Sequence, residues 1–350
     1  LFRSDPAHVR FMVHMWRRSN ARDFRSGFQA HLRLCQDTND ILDDYAKDGL
    51  QFESHAAGLL MAFRDKENLD HHCGDLDIQR SFGLEPEILY GADVQIAEPV
   101  MKPTLAGGIF FPHERHLDSA ALTAALRAKL AELGATIVEN APIDAVERRG
   151  DEVVAVRSGA RRFTADKFVI AAGAWTGKVS AEFGVPIPVR PGKGYSIDLN
   201  PAPVMMRTAV NLSDAKVAMT PYDGRLRLSG TMEFAGLDEE VNKIRVAAIL
   251  RAPRDYVIGW STPQSAPQAR AGMRPMTPDG MPVIGRLAPL SNVYVSGGHG
   301  MLGVTLGPGT SRALALLVMG ISSPPQLLPF SPSRFARRST RSHSTTGAHA

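Results

Sequence analysis

The sequence predicts an α/β protein with a second domain of α+β type that is built on a mainly antiparallel sheet. A helix that Asp118 caps and Gly134 ends is followed by a continuous apolar run, Phe168 to Ala172, which is typical of a strand buried on both faces. The middle of the chain, 189–272, holds short alternating runs broken by proline and glycine. The C-terminal part of the chain again has an α/β pattern, in which a strand is followed by a glycine-rich loop and an apolar helix.

Charge and composition exclude several classes of protein. Arg334 to Ala350 contains four arginines and no acid, which equals the net charge of +4 of the whole chain, so residues 1–333 are balanced. The sequence pI near 9.1 therefore does not indicate a nucleic-acid partner. The polar C-terminal stretch has no apolar period, and we expect it to be disordered.

Cysteine spacing and the N-terminus give further expectations. Cys35 and Cys73 do not have the spacing of a disulfide framework or a zinc site, which fits a reducing compartment. No run approaches the ~20 apolar residues of a membrane-spanning helix.

The first thirty residues mix apolar side chains with six arginines. This pattern fits either a basic helix on a membrane surface or a helix packed on the rest of the protein, and we favour the second. Because the chain begins with Leu1 and shows no signal peptide, we expect further sequence upstream.

The strongest pattern is a pair of glycine-rich segments near the C-terminus. One is Gly272 to Gly285, with the sequence GMRPMTPDGMPVIG, and the other is Gly297 to Thr305, with the sequence GGHGMLGVT. Glycines between a strand and a helix let the backbone approach a flat ligand, and the N–H groups of the helix N-terminus favour an electron-rich one. A glycine-rich turn without a ligand is the alternative.

The two segments resemble the C-terminal signature of the FAD-dependent D-amino-acid oxidase and dehydrogenase superfamily, and most closely that of bacterial D-amino-acid dehydrogenases of the small-subunit type. GGIFFPHERHLD at 107–118 and FVIAAGAW at 168–175 are similar to internal elements of this superfamily. The resemblance covers roughly residues 30 to 330. It implies FAD as cofactor, an amino acid as the small-molecule substrate, and a Rossmann-like FAD-binding domain beside an antiparallel-sheet substrate domain.

The same resemblance implies how the domains divide the chain. We expect a mixed segment, mostly substrate domain and connecting helices, at 1–110, the middle of the FAD-binding domain at 111–188 and the substrate sheet at 189–272. The C-terminal part of the FAD-binding domain is expected at 273–325 and a disordered tail at 326–350. The FAD-binding domain is expected to be incomplete at its N-terminus, because residues 1–60 contain neither G-x-G-x-x-G nor an acidic residue placed to bind the ribose.

Arg274 is the predicted substrate-binding residue, since a guanidinium can hold a carboxylate through two hydrogen bonds and the family places an arginine at this motif position. Tyr195 is either a second substrate contact through its hydroxyl or a packed strand tyrosine. Met301 stands where related glycine oxidases can have an arginine, which argues against glycine oxidase. The predicted cofactor contacts are Val146, Ala172, Gly173, Trp175, Gly298, His299, Gly300, Met301, Leu302, Gly303, Val304 and Thr305.

No metal site is predicted. Two stretches rich in histidine and acids, 70–77 and 113–116, contain residue types that bind metals. Adjacent side chains on one helix or strand point apart, so the first spacing suits a single ion poorly. The second stretch coincides with the FPHERHLD element of the superfamily, for which turn and helix-cap roles are expected.

The resemblance implies removal of a hydride from the Cα of a D-amino acid, which gives a 2-oxo acid and ammonia. A quinone or a respiratory chain is the expected electron acceptor, and a cytoplasmic protein, at most peripheral on the inner face of the cell membrane, is the expected location. One alternative is a glycine, sarcosine or D-hydroxyproline oxidoreductase of the same superfamily. An alternative of another class is a truncated, non-catalytic chain that does not bind FAD.

Overall fold

The computed structural model describes residues 5–263 and 268–336. Ten α-helices occur in these ranges: α1 (Pro6–Arg18), α2 (Ala21–Cys35), α3 (Thr38–Lys47), α4 (Lys66–Cys73), α5 (Leu76–Arg80), α6 (Val94–Ala97), α7 (Ser119–Glu132), α8 (Thr176–Glu182), α9 (Lys243–Arg251) and α10 (Gly303–Met319). The same ranges contain sixteen strands: β1 (Ser54–His55), β2 (Leu59–Phe63), β3 (Glu87–Tyr90), β4 (Gly107–Phe111), β5 (His116–Leu117), β6 (Ala145–Arg149), β7 (Glu152–Ser158), β8 (Arg161–Phe163), β9 (Phe168–Ile170), β10 (Arg190–Leu199), β11 (Ala209–Leu212), β12 (Val217–Tyr222), β13 (Arg225–Glu233), β14 (Ala269–Met276), β15 (Val283–Arg286) and β16 (Val293–Gly297).

The larger sheet has eight strands in the order β14-β10-β13-β12-β11-β2-β4-β3. All neighbours run antiparallel except β11 and β2, which are parallel. Ile197 and Leu228 face each other across β10 and β13 and are fully buried, together with Ile249 of α9. One side of this sheet is therefore an apolar core, and the mainly antiparallel sheet predicted from the alternating runs is confirmed.

A smaller sheet, ordered β15-β16-β9, pairs β16 parallel to β9 and antiparallel to β15. The antiparallel meander β6-β7-β8 shares a core with it. Helix α10 covers the glycine-loop end of this sheet and packs on α2 and α3. The predicted α/β part is therefore confirmed, and the meander is an antiparallel addition to it.

The strand that carries Arg274 crosses the predicted boundary between residues 272 and 273. Strand β14 pairs with β10 without interruption from Ala269, opposite Ile197, to Met276, opposite Arg190. Arg274 therefore belongs to the large sheet, whose edge strand runs across this boundary with continuous backbone hydrogen bonds.

The segment Thr136 to Glu139, whose β-type composition favours a strand, does not form one. Ile137 and Val138 are 42% and 44% exposed and the backbone there is irregular. Asp118 does cap α7, accepting the Ala120 N–H at 2.9 Å, and Leu133 at the end of this helix is 71% exposed. A strand requires a neighbour for its N–H and C=O groups, and no strand pairs with 136–139 in the described chain.

The predicted disordered tail does not begin at 326. Pro325–Phe330 and Pro332–Phe335 are short 3-10 helices, and Phe330 is fully buried beside α2 and α10. Arg334 also forms an ion pair with Asp279 at 2.7 Å. Apolar side chains thus anchor the chain to 336, and the rest of the predicted tail, 337–350, lies outside the described residues. Within the described ranges, no helix has the length and apolar character needed to cross a bilayer.

Candidate functional site

The two glycine-rich segments singled out from the sequence lie in contact. The N–H of Gly300, in the loop after β16, donates a hydrogen bond to the carbonyl of Pro275 on β14 at 2.9 Å. Gly298 has φ +77, and a Cβ atom added there would stand 2.6 Å from Cγ2 of Thr277. Glycine is therefore required at 298 by both backbone conformation and space. Strand β14, which ends beside the loop, carries Arg274.

The loop leads into the free N-terminus of α10. Leu302, which precedes the helix, provides no side-chain cap for the first-turn N–H groups. Met301, Leu302 and Val304 are 70%, 39% and 38% exposed around this turn. Exposed apolar side chains therefore surround the unpaired N–H groups at the positive end of α10. This combination suits a flat, electron-rich ligand.

The spacing of Gly298, Gly300 and Gly303 is itself G-x-G-x-x-G, between a strand and a helix. In dinucleotide-binding units this motif is followed about 20 residues later by an acid that binds the ribose. No Asp or Glu occurs from 303 to 336. The loop has the glycine spacing without the ribose-binding acid, which fits contact with a ring better than contact with a dinucleotide phosphate.

The side chain of His299 points away from the exposed side of the loop. Its Nε2 lies 3.1 Å from Oγ1 of Thr310 on α10. Burial, reinforced by the nearby His31, lowers the pKa of His299 to about 4. The neutral imidazole therefore anchors the loop to α10.

The segment after β9 reaches the same junction. The 3-10 helix Gly173–Trp175 packs against β10 and β14, and the Trp175 side chain is 44% exposed. Thr176 is fully buried, and its hydroxyl has no hydrogen-bond partner among the described residues. A Cβ atom added at Gly297 would stand 2.8 Å from this hydroxyl. The predicted contacts Ala172, Gly173 and Trp175 thus lie beside the strand of Arg274. Val146 lies instead in the meander, opposite Val156, and packs against its core.

Arg274 is a half-buried cation without an acidic partner. Its Nη1 donates to the carbonyl of Thr231 at 2.6 Å, and no ion pair with an acid occurs among the described residues. Burial lowers the pKa of Arg274, and no carboxylate offsets this effect. A desolvated guanidinium with unused donors is an anion-binding group.

Two residues that the sequence analysis did not assign shape this arginine site. Gly194 lies beneath the guanidinium, where an added Cβ atom would stand 2.0 Å from Nη1 of Arg274. Thr231 has φ +71 at an irregularity in the pairing of β10 with β13, and this conformation places its carbonyl toward Arg274. The repeated glycines 192 and 194 in a strand were a usable indication, since glycine in a strand often marks a close approach.

Tyr195 lies on the other face of the sheet from Arg274. It is 1% exposed within the apolar core, and its hydroxyl donates to Glu233. Burial raises the pKa of Tyr195. Because side chains alternate along β10, Gly194 on the arginine face requires Tyr195 on the core face. The structure therefore supports the packed tyrosine over the substrate contact.

Within the first histidine- and acid-rich stretch, 70–77, two side chains are held by local contacts. Asp70 pairs with Lys66 at 2.6 Å, and Nδ1 of His72 bonds the Asn68 carbonyl at 2.9 Å. Another group, Glu53, His55 and Asp223, has potential ligand atoms within 4.8 Å of one another. In that group Glu53 already accepts hydrogen bonds from the ring of His55 and the N–H of Asp223.

Comparison with known proteins identifies the class of protein. The model of the family described as FAD dependent oxidoreductase matches residues 11–317, and the chain belongs to this family. Glycine oxidase from Geobacillus kaustophilus is similar with a TM-score of 0.78 at 24% identity, over 87% of this chain and 82% of that one. L-proline dehydrogenase from P. horikoshii has a TM-score of 0.76 at 19% sequence identity, and the match covers 87% of this chain and 82% of that one. L-α-glycerophosphate oxidase from Mycoplasma pneumoniae has a TM-score of 0.73 at 15% sequence identity, and the match covers 84% of this chain and 80% of that one. That structure contains bound FAD.

These similarities establish the fold and FAD as the cofactor of the family. The named substrates of the three enzymes differ, so the fold alone does not select one. The described residues fit the ring end of a flavin. The glycine loop after β16, the uncapped N-terminus of α10 and the exposed Trp175 lie beside Arg274. Residues 5–60 contain no site for the pyrophosphate of FAD. They form three helices followed by β1 and the start of β2, and they contain no strand–G-x-G-x-x-G–helix unit.

Proposed function

We propose that this FAD-dependent oxidoreductase acts on D-amino acids at Cα. The observation that carries the proposal is the half-buried guanidinium of Arg274, which has no acidic partner in the described chain and lies on the strand joined to the glycine loop. An amino-acid carboxylate supplies the missing anion. The loop and the N-terminus of α10 then border the space into which the Cα–H bond points.

The residues of the chain bind and orient the substrate. Arg274 holds the carboxylate through two parallel hydrogen bonds, while the Thr231 carbonyl retains one N–H of the guanidinium and fixes its plane. FAD, when bound, accepts the hydride from Cα, and water hydrolyses the resulting imino acid to a 2-oxo acid and ammonia. The uncapped N–H groups of α10 would favour negative charge on a flavin held beside the loop.

The preference for D-amino acids rests on the resemblance of the motifs at 107–118, 168–175, 272–285 and 297–305. Met301 occupies the position where related glycine oxidases can have an arginine, which favours an amino acid with a side chain over glycine. A quinone or respiratory-chain acceptor and a cytoplasmic place, at most peripheral on the membrane, belong to the same proposal.

The test is substrate-dependent dye reduction by the FAD-loaded protein over a panel of D-amino acids, glycine, sarcosine and D-hydroxyproline. Arg274→Lys keeps the charge but loses the bidentate geometry, and we expect its KM for D-alanine to rise at least about tenfold. Arg270→Lys is the matched control, because Arg270 lies on the same strand, is 62% exposed and pairs with Asp198. Activity on D-hydroxyproline or sarcosine without activity on D-alanine would refute the D-amino-acid preference.

One observation favours the alternative that this chain alone does not bind FAD. Residues 5–60 provide no phosphate-binding loop, and apolar side chains such as Ile137 and Leu133 remain exposed. The visible spectrum after incubation with FAD and gel filtration decides between the two. A yellow protein supports the enzyme, whereas a colourless protein with a folded circular-dichroism spectrum supports the non-catalytic alternative.

A further inference from the structure

Helix α1 presents apolar side chains to solvent on one side. Val9, Val13 and Trp16 follow the i, i+4, i+7 spacing of one helix side and are 55%, 41% and 77% exposed. Arg10 and Arg17 are exposed next to them. We call these five residues the α1 surface. Large side chains of this kind, grouped together and exposed, mark an interaction site more often than a solvated helix face.

The opposite side of α1 fixes this orientation. Phe11 is 3% exposed, and its ring lies 5.7 Å from that of Phe234, just after β13. Asp5, the N-cap residue, pairs with Arg190 at the start of β10 at 2.8 Å. The helix is thus packed on the rest of the protein, as the sequence analysis favoured, and still leaves the α1 surface uncovered in the described chain.

The charge along helices α1 and α2 is mainly positive. Residues 6–35 contain six arginines and a single acid, Asp23. Asp23 is engaged by Arg18 and by the side chain of Asn20. On α2, Phe24 is 51% exposed. Four exposed arginines form no ion pair within the described ranges, namely Arg10, Arg17, Arg22 and Arg25.

We propose that the α1 surface docks on an anionic lipid bilayer. An interfacial helix combines aromatic and aliphatic side chains that enter the headgroup region with arginines that contact lipid phosphates, and this is the combination found here. Charge complementarity selects the bilayer over a second copy of this chain, whose α1 surface would carry the same positive charge. The proposal does not rest on the substrate or on bound flavin.

The test is co-sedimentation of the full chain with vesicles of phosphatidylcholine alone and of phosphatidylcholine mixed with phosphatidylglycerol. We expect binding to the anionic vesicles only, weakened when salt rises from about 0.1 M to about 0.5 M. Replacing Arg10 and Arg17 together by Ser should weaken binding about 25-fold, about fivefold for each arginine. Trp16→Ser should weaken it about tenfold.

Helix α9 provides matched controls, because Ile244 is 80% exposed there and Arg245 beside it is also exposed. Ile244→Ser and Arg245→Ser should bind the vesicles like the unchanged protein. Trp16→Phe should remove most of the blue shift of tryptophan emission on anionic vesicles, because Trp260 is 9% exposed. The third tryptophan, Trp175, is 44% exposed, so Trp175→Phe is the control and should keep the blue shift. Equal binding to neutral vesicles, equal loss in the α9 variants, or concentration-dependent self-association that Trp16→Ser removes would each overturn the proposal.

Discussion

The guanidinium of Arg274 lies against the backbone of Gly194, so closely that a Cβ atom at 194 would stand 2.0 Å from Nη1. We therefore expect Gly194→Ala to displace the guanidinium and raise KM for a carboxylate substrate at least about tenfold. Gly272 pairs with Gly194 across β10 and β14, and an added Cβ there meets nothing within 4 Å. Gly272→Ala is thus the control, and equal KM values for the two variants would show that Gly194 does not position Arg274.

Tyr195→Phe distinguishes a packed tyrosine from a substrate contact. The change removes the hydrogen bond from the buried hydroxyl to Glu233. We expect the free energy of unfolding in urea to fall by about 1 kcal/mol, with KM unchanged. A tenfold rise in KM at unchanged stability would instead place the hydroxyl on the substrate.

Gly298→Ala tests the glycine requirement of the loop. An alanine at φ +77, with its Cβ 2.6 Å from Thr277, should lower the free energy of unfolding by about 2 kcal/mol and weaken flavin binding. Gly307 lies inside α10 with nothing within 4 Å of an added Cβ. Gly307→Ala should therefore be neutral or up to about 1 kcal/mol more stable. Similar losses in both variants would contradict the role given to position 298.

Acid should destabilise the protein through His299. Its pKa is lowered from 6.5 to about 4, so the unfolded chain binds the proton more readily between these values. The contribution to stability is complete above pH 6.5 and is lost as pH falls toward 4, by up to about 3 kcal/mol. Burial also lowers the pKa of His31, which adds to the effect in the same direction.

Urea unfolding of the protein and of His299→Asn at several pH values checks this prediction. The variant should show a flatter fall in stability from pH 6.5 to 4 than the unchanged protein. Parallel pH profiles would show that His299 is not the group responsible.

Motifs and periodicity were sufficient to predict the family, the cofactor and the mainly antiparallel sheet. Local patterns carry this information because alternation with period two, capping residues and glycine spacing depend on neighbours within a few residues. Asp118 capping α7 and Gly298 at positive φ were predictable in the same way.

Three outcomes depended on which segments meet in space. Tyr195 was left undecided until the approach of Arg274 over Gly194 fixed which face of β10 belongs to the site. Thr136 to Glu139 has the composition of a strand, but no strand pairs with it in the described chain. Phe330 lies in a segment that composition alone assigned to a disordered tail, and it is buried between α2 and α10. Sequence patterns report what a segment prefers by itself, whereas burial, pairing and desolvation depend on residues far away in the chain.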